Sequence, residues 1–124
     1  MRWNRVGGAK KATMWIMVSG PYTANAPTKE ARAENLRAMN RAALALFRLG
    51  HVPIIGVNLA LPIIEVEGDA TFDEIMMPLA LAATDRCDAC LRVGGPSRGA
   101  DDEANRFRAA GKPVFERIED VPPP

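Results

Sequence analysis

The sequence predicts an α/β fold: a three-layer, flavodoxin- or Rossmann-like parallel sheet of four to five strands with helices on both faces. Short apolar runs alternate with longer segments of helical period, the pattern that builds a parallel sheet covered on both sides. Glycine- and proline-rich loops separate these segments. A chain of 124 residues with 48% hydrophobic content is also large enough for one core without disulfides or a structural metal.

Residues 1–12 place Arg2, Arg5, Lys10 and Lys11 around Gly7 and Gly8 and are read as a flexible lead-in. They lack the apolar stretch of a signal peptide. Residues 13–18 (TMWIMV) form the first buried strand and run into the loop Ser19-Gly20-Pro21. A helix follows from an N-cap at Thr28 to a stop at Gly50, with Leu36, Met39, Ala43, Leu44 and Phe47 as its apolar face. Residues 51–57 (HVPIIGV) are the second strand, and residues 58–68, which contain Pro62, read as an irregular connection. Thr71-Phe72-Asp73-Glu74 has the form of a capping box and opens a helix to about Cys87, with a kink expected at Pro78. Residues 88–93 (DACLRV) form the third strand, and residues 94–99 (GGPSRG) a tight loop. Asp101, Asp102 and Glu103 then begin a helix that ends at Gly111, and residues 113–118 (PVFERI) are the last strand. Residues 13–118 make up the single domain and residues 119–124 a proline-rich tail.

Right-handed crossovers put the first strand in the centre, the second on one side, and the third and fourth on the other. Ligands bind such sheets at the carboxyl edge, where the strand order reverses. That edge collects residues 19–28, the chain from Asn58, the helix start at Thr71, and residues 94–103.

Composition narrows the function. With 16 Lys+Arg against 15 Asp+Glu, the chain lacks the basic excess that drives binding to a nucleic-acid polymer. Its apolar runs are too short for the roughly 20 residues of a membrane span. A cytoplasmic protein is expected. The chain has a single histidine, so a triad or a histidine metal site would rest on His51, which follows a helix and falls at the edge away from the loops. Cys87 and Cys90 have the spacing of a redox or metal pair, but they span a helix end and a strand start and read as structural. No metal or organic cofactor is expected.

Residues 94–103 (GGPSRGADDE) are the strongest local feature. The backbone of Gly94, Gly95 and Gly99, the Ser97 hydroxyl and the following helix start together make an anion site that suits a phosphate, with Arg98 within reach of it. A carboxylate at such a helix start is expected to be held ionised, fit to act as a nucleophile or to stabilise a cation. The same residues also fit an ordinary turn with capping acids.

Ser97-x-Gly99-x-x-x-Glu103, then Ala109-x-Gly111-Lys112-Pro113-Val114, preceded by Cys87-Asp88-Ala89, Gly50-His51-Val52-Pro53 and Val18-Ser19-Gly20-Pro21-Tyr22, resembles the nucleoside 2-deoxyribosyltransferase-like superfamily. That superfamily includes deoxyribosyltransferases and small nucleotide N-glycosidases. The resemblance implies that Glu103 attacks the anomeric carbon and forms a glycosyl-enzyme intermediate. It implies that Ser97 binds the 5′-phosphate and that Tyr22 contacts the sugar and orients Glu103; Ser19, Gly20 and the loop glycines are further candidates for binding a phosphate or sugar. Asn35, in the second turn of the first helix, either positions the first loop or is a simple surface residue. The family's acid for the leaving base falls near Ala80 and Ala82 here and is absent. Asp73, at a helix start on the correct edge, is the candidate replacement. Met76 and Met77 read as core or subunit interface, and a homo-oligomer is implied by the family's habit of completing one subunit's pocket with another. The expected function is hydrolysis or transfer at the N-glycosidic bond of a nucleoside or nucleotide. The alternative is a non-catalytic nucleotide-binding or sensing module of the same fold.

Overall fold

A computed structural model describes residues 13–124; the expected flexible segment 1–12 lies outside the described residues. Four parallel strands, β1 (Trp15–Ser19), β2 (Val52–Ile54), β3 (Ala89–Arg92) and β4 (Val114–Phe115), lie in the order β2-β1-β3-β4, the order expected from the sequence. The helices are α1 (Lys29–Leu49), α2 (Gly56–Glu67), α3 (Phe72–Thr84) and α4 (Arg98–Ala109). None of these helices is long and apolar enough to cross a membrane.

Alternation along β1 divides the core. Ile16 and Val18 face one way and pack with Met39 and Leu46 of α1, whereas Met17 faces the other way and packs with Cys90 and with Ala104 and Phe107 of α4. Ser19, two residues beyond Met17, therefore falls on the α4 side. A third cluster, Ala60, Ile64 and Met76, joins α2 to α3.

Several elements depart from the sequence reading. Residues 58–68 are mostly helical, as α2, despite Pro62. Pro62 deprives the Asn58 carbonyl of its helical donor, and Pro78 does the same to Glu74 in α3; both acceptor residues are exposed, so water can replace the bond. The capping box does not form. A 3₁₀ turn (Asp69–Thr71) runs straight into α3, and the Thr71 hydroxyl donates to the Gly68 carbonyl at 3.0 Å. The buried face of α1 is centred on Met39 and Leu46, while Leu44 and Phe47 are exposed by 47% and 63%. Met39 and Leu46 are seven residues apart, two turns along one stripe, and Leu44 and Phe47 fall outside it.

The amino edge is stitched by side chains the site does not use. The Asp88 carboxylate accepts from the Trp15 amide at 2.8 Å, and Lys112 donates to the Cys87 carbonyl. Buried His51 accepts at Nδ1 from the Met14 amide at 3.0 Å, which leaves Nε2–H to donate to the Pro122 carbonyl at 2.8 Å. With Val121 buried as well, residues 119–124 pack onto the domain.

Candidate functional site

The buried stripe of α4 is Ala100, Glu103, Ala104 and Phe107, the i, i+3, i+4, i+7 pattern of a core-facing helix with one acid in it. Ser97 caps the helix by accepting from the Ala100 amide at 3.2 Å. Because the helix begins at Arg98, Glu103 lies in the second turn, beyond the first turn where the macrodipole is strongest. Glu103 is only 8% exposed.

One carboxylate oxygen of Glu103, Oε1, accepts from the Ser19 hydroxyl at 2.6 Å, and the Ser19 oxygen accepts in turn from the Cys90 thiol at 3.5 Å. A methyl group built on Gly56, the first residue of α2, would stand 3.8 Å from the other oxygen, Oε2. Burial pushes the Glu103 pKa up, the Ser19 hydrogen bond and the Arg92 charge act against that, and Asp102 adds to it. Burial, the largest influence on the Glu103 pKa, therefore works against the expectation that a helix start favours its charged form. Burial also pushes the Cys90 thiol up to about 11, so Cys90 enters this chain as a donor.

Glu103 lines a cavity of about 180 Å³ at the carboxyl edge of the sheet. Gly20, Tyr22 and Thr23 of the first loop, Val57 of α2, Phe72, Met76 and Met77 of α3, and Ser97, Gly99 and Ala100 of α4 complete the lining. The Tyr22 and Phe72 rings lie within 16° of parallel, with centroids 6.4 Å apart. Asn35 donates to the Tyr22 carbonyl at 2.9 Å and so anchors the first loop to α1.

The structure therefore brings together Gly20, Tyr22, Ser97, Gly99 and Glu103 of the expected site. Ser19 is present in a different role: at 1% exposure it cannot touch a ligand, and its hydroxyl is spent on Glu103. Tyr22 lines the cavity, but the hydrogen bond that orients Glu103 comes from Ser19. Asp73 is exposed and outside the lining, because the turn of α3 that faces the cavity carries Phe72, Met76 and Met77. Arg98 is likewise exposed and outside it.

Gly94 and Gly95 line a separate, more open cleft with Arg92, Asp101, Arg108 and Glu116. Gly94 has φ +79°, and a Cβ there would stand 2.6 Å from Pro21 Cδ, so its lack of a side chain lets the two carboxyl-edge loops meet. Arg92, which sequence reasoning missed, organises this loop: it donates to the Val93 carbonyl at 2.6 Å, to the Gly95 carbonyl at 2.9 Å, and to Asp101. Its signal in the sequence is a cation at the end of an apolar strand, nine residues before an acid in the next helix.

Among the described residues Glu103 is the sole acid lining the cavity. Of Ala80 and Ala82, near which the resemblance led to an acid, Ala80 is buried and its Cβ lies 2.7 Å from a methyl group built on Gly56. Neither Ala80 nor Ala82 is among the residues that line the cavity. Among the described residues no group of three or more His, Cys, Asp or Glu is arranged to hold a metal ion.

Residues 14–119 match the sequence profile of DUF1937, a domain of unknown function. The chain belongs to the DUF1937 family. The match spans the sheet, all four helices and the whole cavity lining, so the candidate site lies entirely within the DUF1937 domain. No curated protein matches the chain.

Proposed function

We propose that this DUF1937 domain acts on the N-glycosidic bond of a nucleoside or nucleotide, with Glu103 as nucleophile. The observation that carries the reading is a buried glutamate that lines a small, largely apolar cavity and has one carboxylate oxygen anchored by Ser19. The near-parallel Tyr22 and Phe72 rings with Met76 and Met77 offer flat, polarisable surface suited to a base. Ser97 and the Gly99 backbone at the start of α4 suit a sugar hydroxyl or phosphate. A cavity of about 180 Å³ is below the roughly 300–1,000 Å³ of sites that enclose drug-sized ligands, so part of a nucleotide would remain in the open mouth.

In the reaction, ionised Glu103 bonds to the anomeric carbon as the carbon–nitrogen bond breaks, and the bonding pair leaves with the base. The departing nitrogen takes its proton from solvent, because no second acid of the cavity stands opposite Glu103. Water or a second base then cleaves the glycosyl ester and regenerates the carboxylate. Self-association, which the resemblance to nucleoside 2-deoxyribosyltransferase-like proteins implies, would bring a further group to the open mouth.

The single-acid cavity specifically favours a second reading, a nucleotide-binding module without turnover. One experiment separates the two: free-base release and thermal stabilisation are measured with a panel of nucleosides and 5′-monophosphates, for the wild type and Glu103→Ala. Release that the mutation abolishes supports catalysis, and stabilisation without release supports the binding module. Release undiminished by the mutation refutes the mechanism.

A further inference from the structure

Ser19 is the last residue of β1, and strand alternation turns it under α4, beneath the second-turn position of Glu103. A hydroxyl has one proton to give, and here it goes to Glu103 Oε1 at 2.6 Å, within the range of short bonds to an ionised acceptor. The Cys90 thiol behind it donates to the Ser19 Oγ and occupies a lone pair of that hydroxyl oxygen. With the hydroxyl proton committed on one side and a lone pair occupied on the other, rotation of the hydroxyl would break both contacts. We infer that Ser19 is a positioning residue for Glu103, holding Oε1 so that Oε2 is the oxygen presented to substrate.

This rests on the proposed role of Glu103 and adds which of its oxygens reacts. A carboxyl group free to rotate would offer either oxygen over a range of angles, and misplacement by about 1 Å costs roughly 100-fold in rate. The charged and titratable groups around Glu103 are Arg92 and Cys90 from β3, Asp102 from its own helix, and Tyr22 across the cavity. The lining residues from α2 and α3 are Val57, Phe72, Met76 and Met77, none of which titrates.

The test labels glutamate carboxyl carbons with ¹³C in the wild type, Ser19→Ala and Ser19→Thr. The Glu103 resonance, assigned by its loss in Glu103→Gln, is followed against pH without ligand. Alanine is smaller than serine, and Glu103 can take up a proton when its donor is lost, so Ser19→Ala keeps the fold; thermal melting checks this. The expected result is a Glu103 midpoint that moves up in Ser19→Ala and stays near the wild-type value in Ser19→Thr, which retains the hydroxyl. On whichever member of the nucleotide panel is cleaved, kcat of Ser19→Ala falls by roughly 10- to 100-fold while KM changes little. A serine that only fills space predicts the reverse: alanine tolerated with an unmoved midpoint, and threonine disruptive. An unmoved midpoint in folded Ser19→Ala overturns the inference. Because the titration uses no substrate, absence of turnover across the panel removes the proposed function and leaves the midpoint to decide the role of Ser19.

Discussion

Gly56→Ala tests how closely α2 must approach α3 beside the site. The added methyl would stand 2.7 Å from the Ala80 Cβ and 3.3 Å from its Cα, whereas ordinary carbon contacts are about 3.5–4.0 Å. The two helices must therefore separate by about 1 Å at a point where both residues are buried. Overpacking of this kind costs about 1–3 kcal/mol. For a domain of this size the melting temperature should drop by roughly 5–10 °C, measurable by circular dichroism or calorimetry. Ala80→Gly alone should cost about 1 kcal/mol through helix propensity. In the double variant the 2.7 Å contact is gone and only the 3.3 Å approach to the Cα of residue 80 remains, so its loss should be smaller than the sum of the single losses by about 1–2 kcal/mol. Strictly additive losses would refute the claim that this contact sets the spacing of α2 and α3.

Glu103→Gln, which keeps an acceptor for Ser19 but carries no charge, should stabilise the protein at neutral pH by about 0.5–2 kcal/mol while abolishing base release. The sign follows from burial: with the folded-state pKa raised, ionised Glu103 costs stability above that value, and the cost disappears as pH falls toward the ordinary carboxylate range. The stabilisation should therefore shrink in denaturant melts run at lower pH, and a pH-independent difference would contradict it. For the same reason a nucleophilic Glu103 predicts that kcat/KM falls as pH drops through this raised pKa, and that the limb moves further up in pH in Ser19→Ala. His51→Ala should cost about 2–4 kcal/mol by leaving the Met14 amide and the Pro122 carbonyl unpaired, with faster hydrogen exchange at Met14. Ligand binding should survive, since His51 lies at the opposite edge. Arg92→Ala should loosen the glycine loop, seen as faster exchange of its amides at unchanged cavity packing.

Periodicity reveals the strands and α1 because those signals are local: an apolar run, a capping threonine, a terminal glycine. It fails at α2, where Pro62 reads as a breaker in the sequence but sits above an exposed carbonyl that water can serve. Glu103 is legible twice over, as an acid after a glycine-rich loop and as a charged interruption in the stripe Ala100, Ala104 and Phe107. The stripe is the sharper signal, because it predicts burial and hence a raised pKa, whereas counting from the loop alone places the acid in the first turn. Ser19 reads in the sequence as a ligand contact, but its partner is Glu103, 84 residues away, and their meeting depends on strand alternation facing a helix stripe. Asp73 and Arg98 lie outside the cavity lining through rotation about their helix axes, which places neighbouring residues in the cavity and these two in solvent.

The central claim is that Glu103 bonds to the sugar. Tryptic cleavage yields residues 99–106 (GADDEANR) as one peptide, which separates Glu103 from every acid except Asp101 and Asp102. A cleaved member of the nucleotide panel is mixed with enzyme, the reaction is quenched in acid, and that peptide is fragmented by mass spectrometry. The expected result is a glycosyl adduct localised to Glu103 and absent from Glu103→Ala. An adduct on Asp101 or Asp102, or base release undiminished in Glu103→Ala, would contradict it.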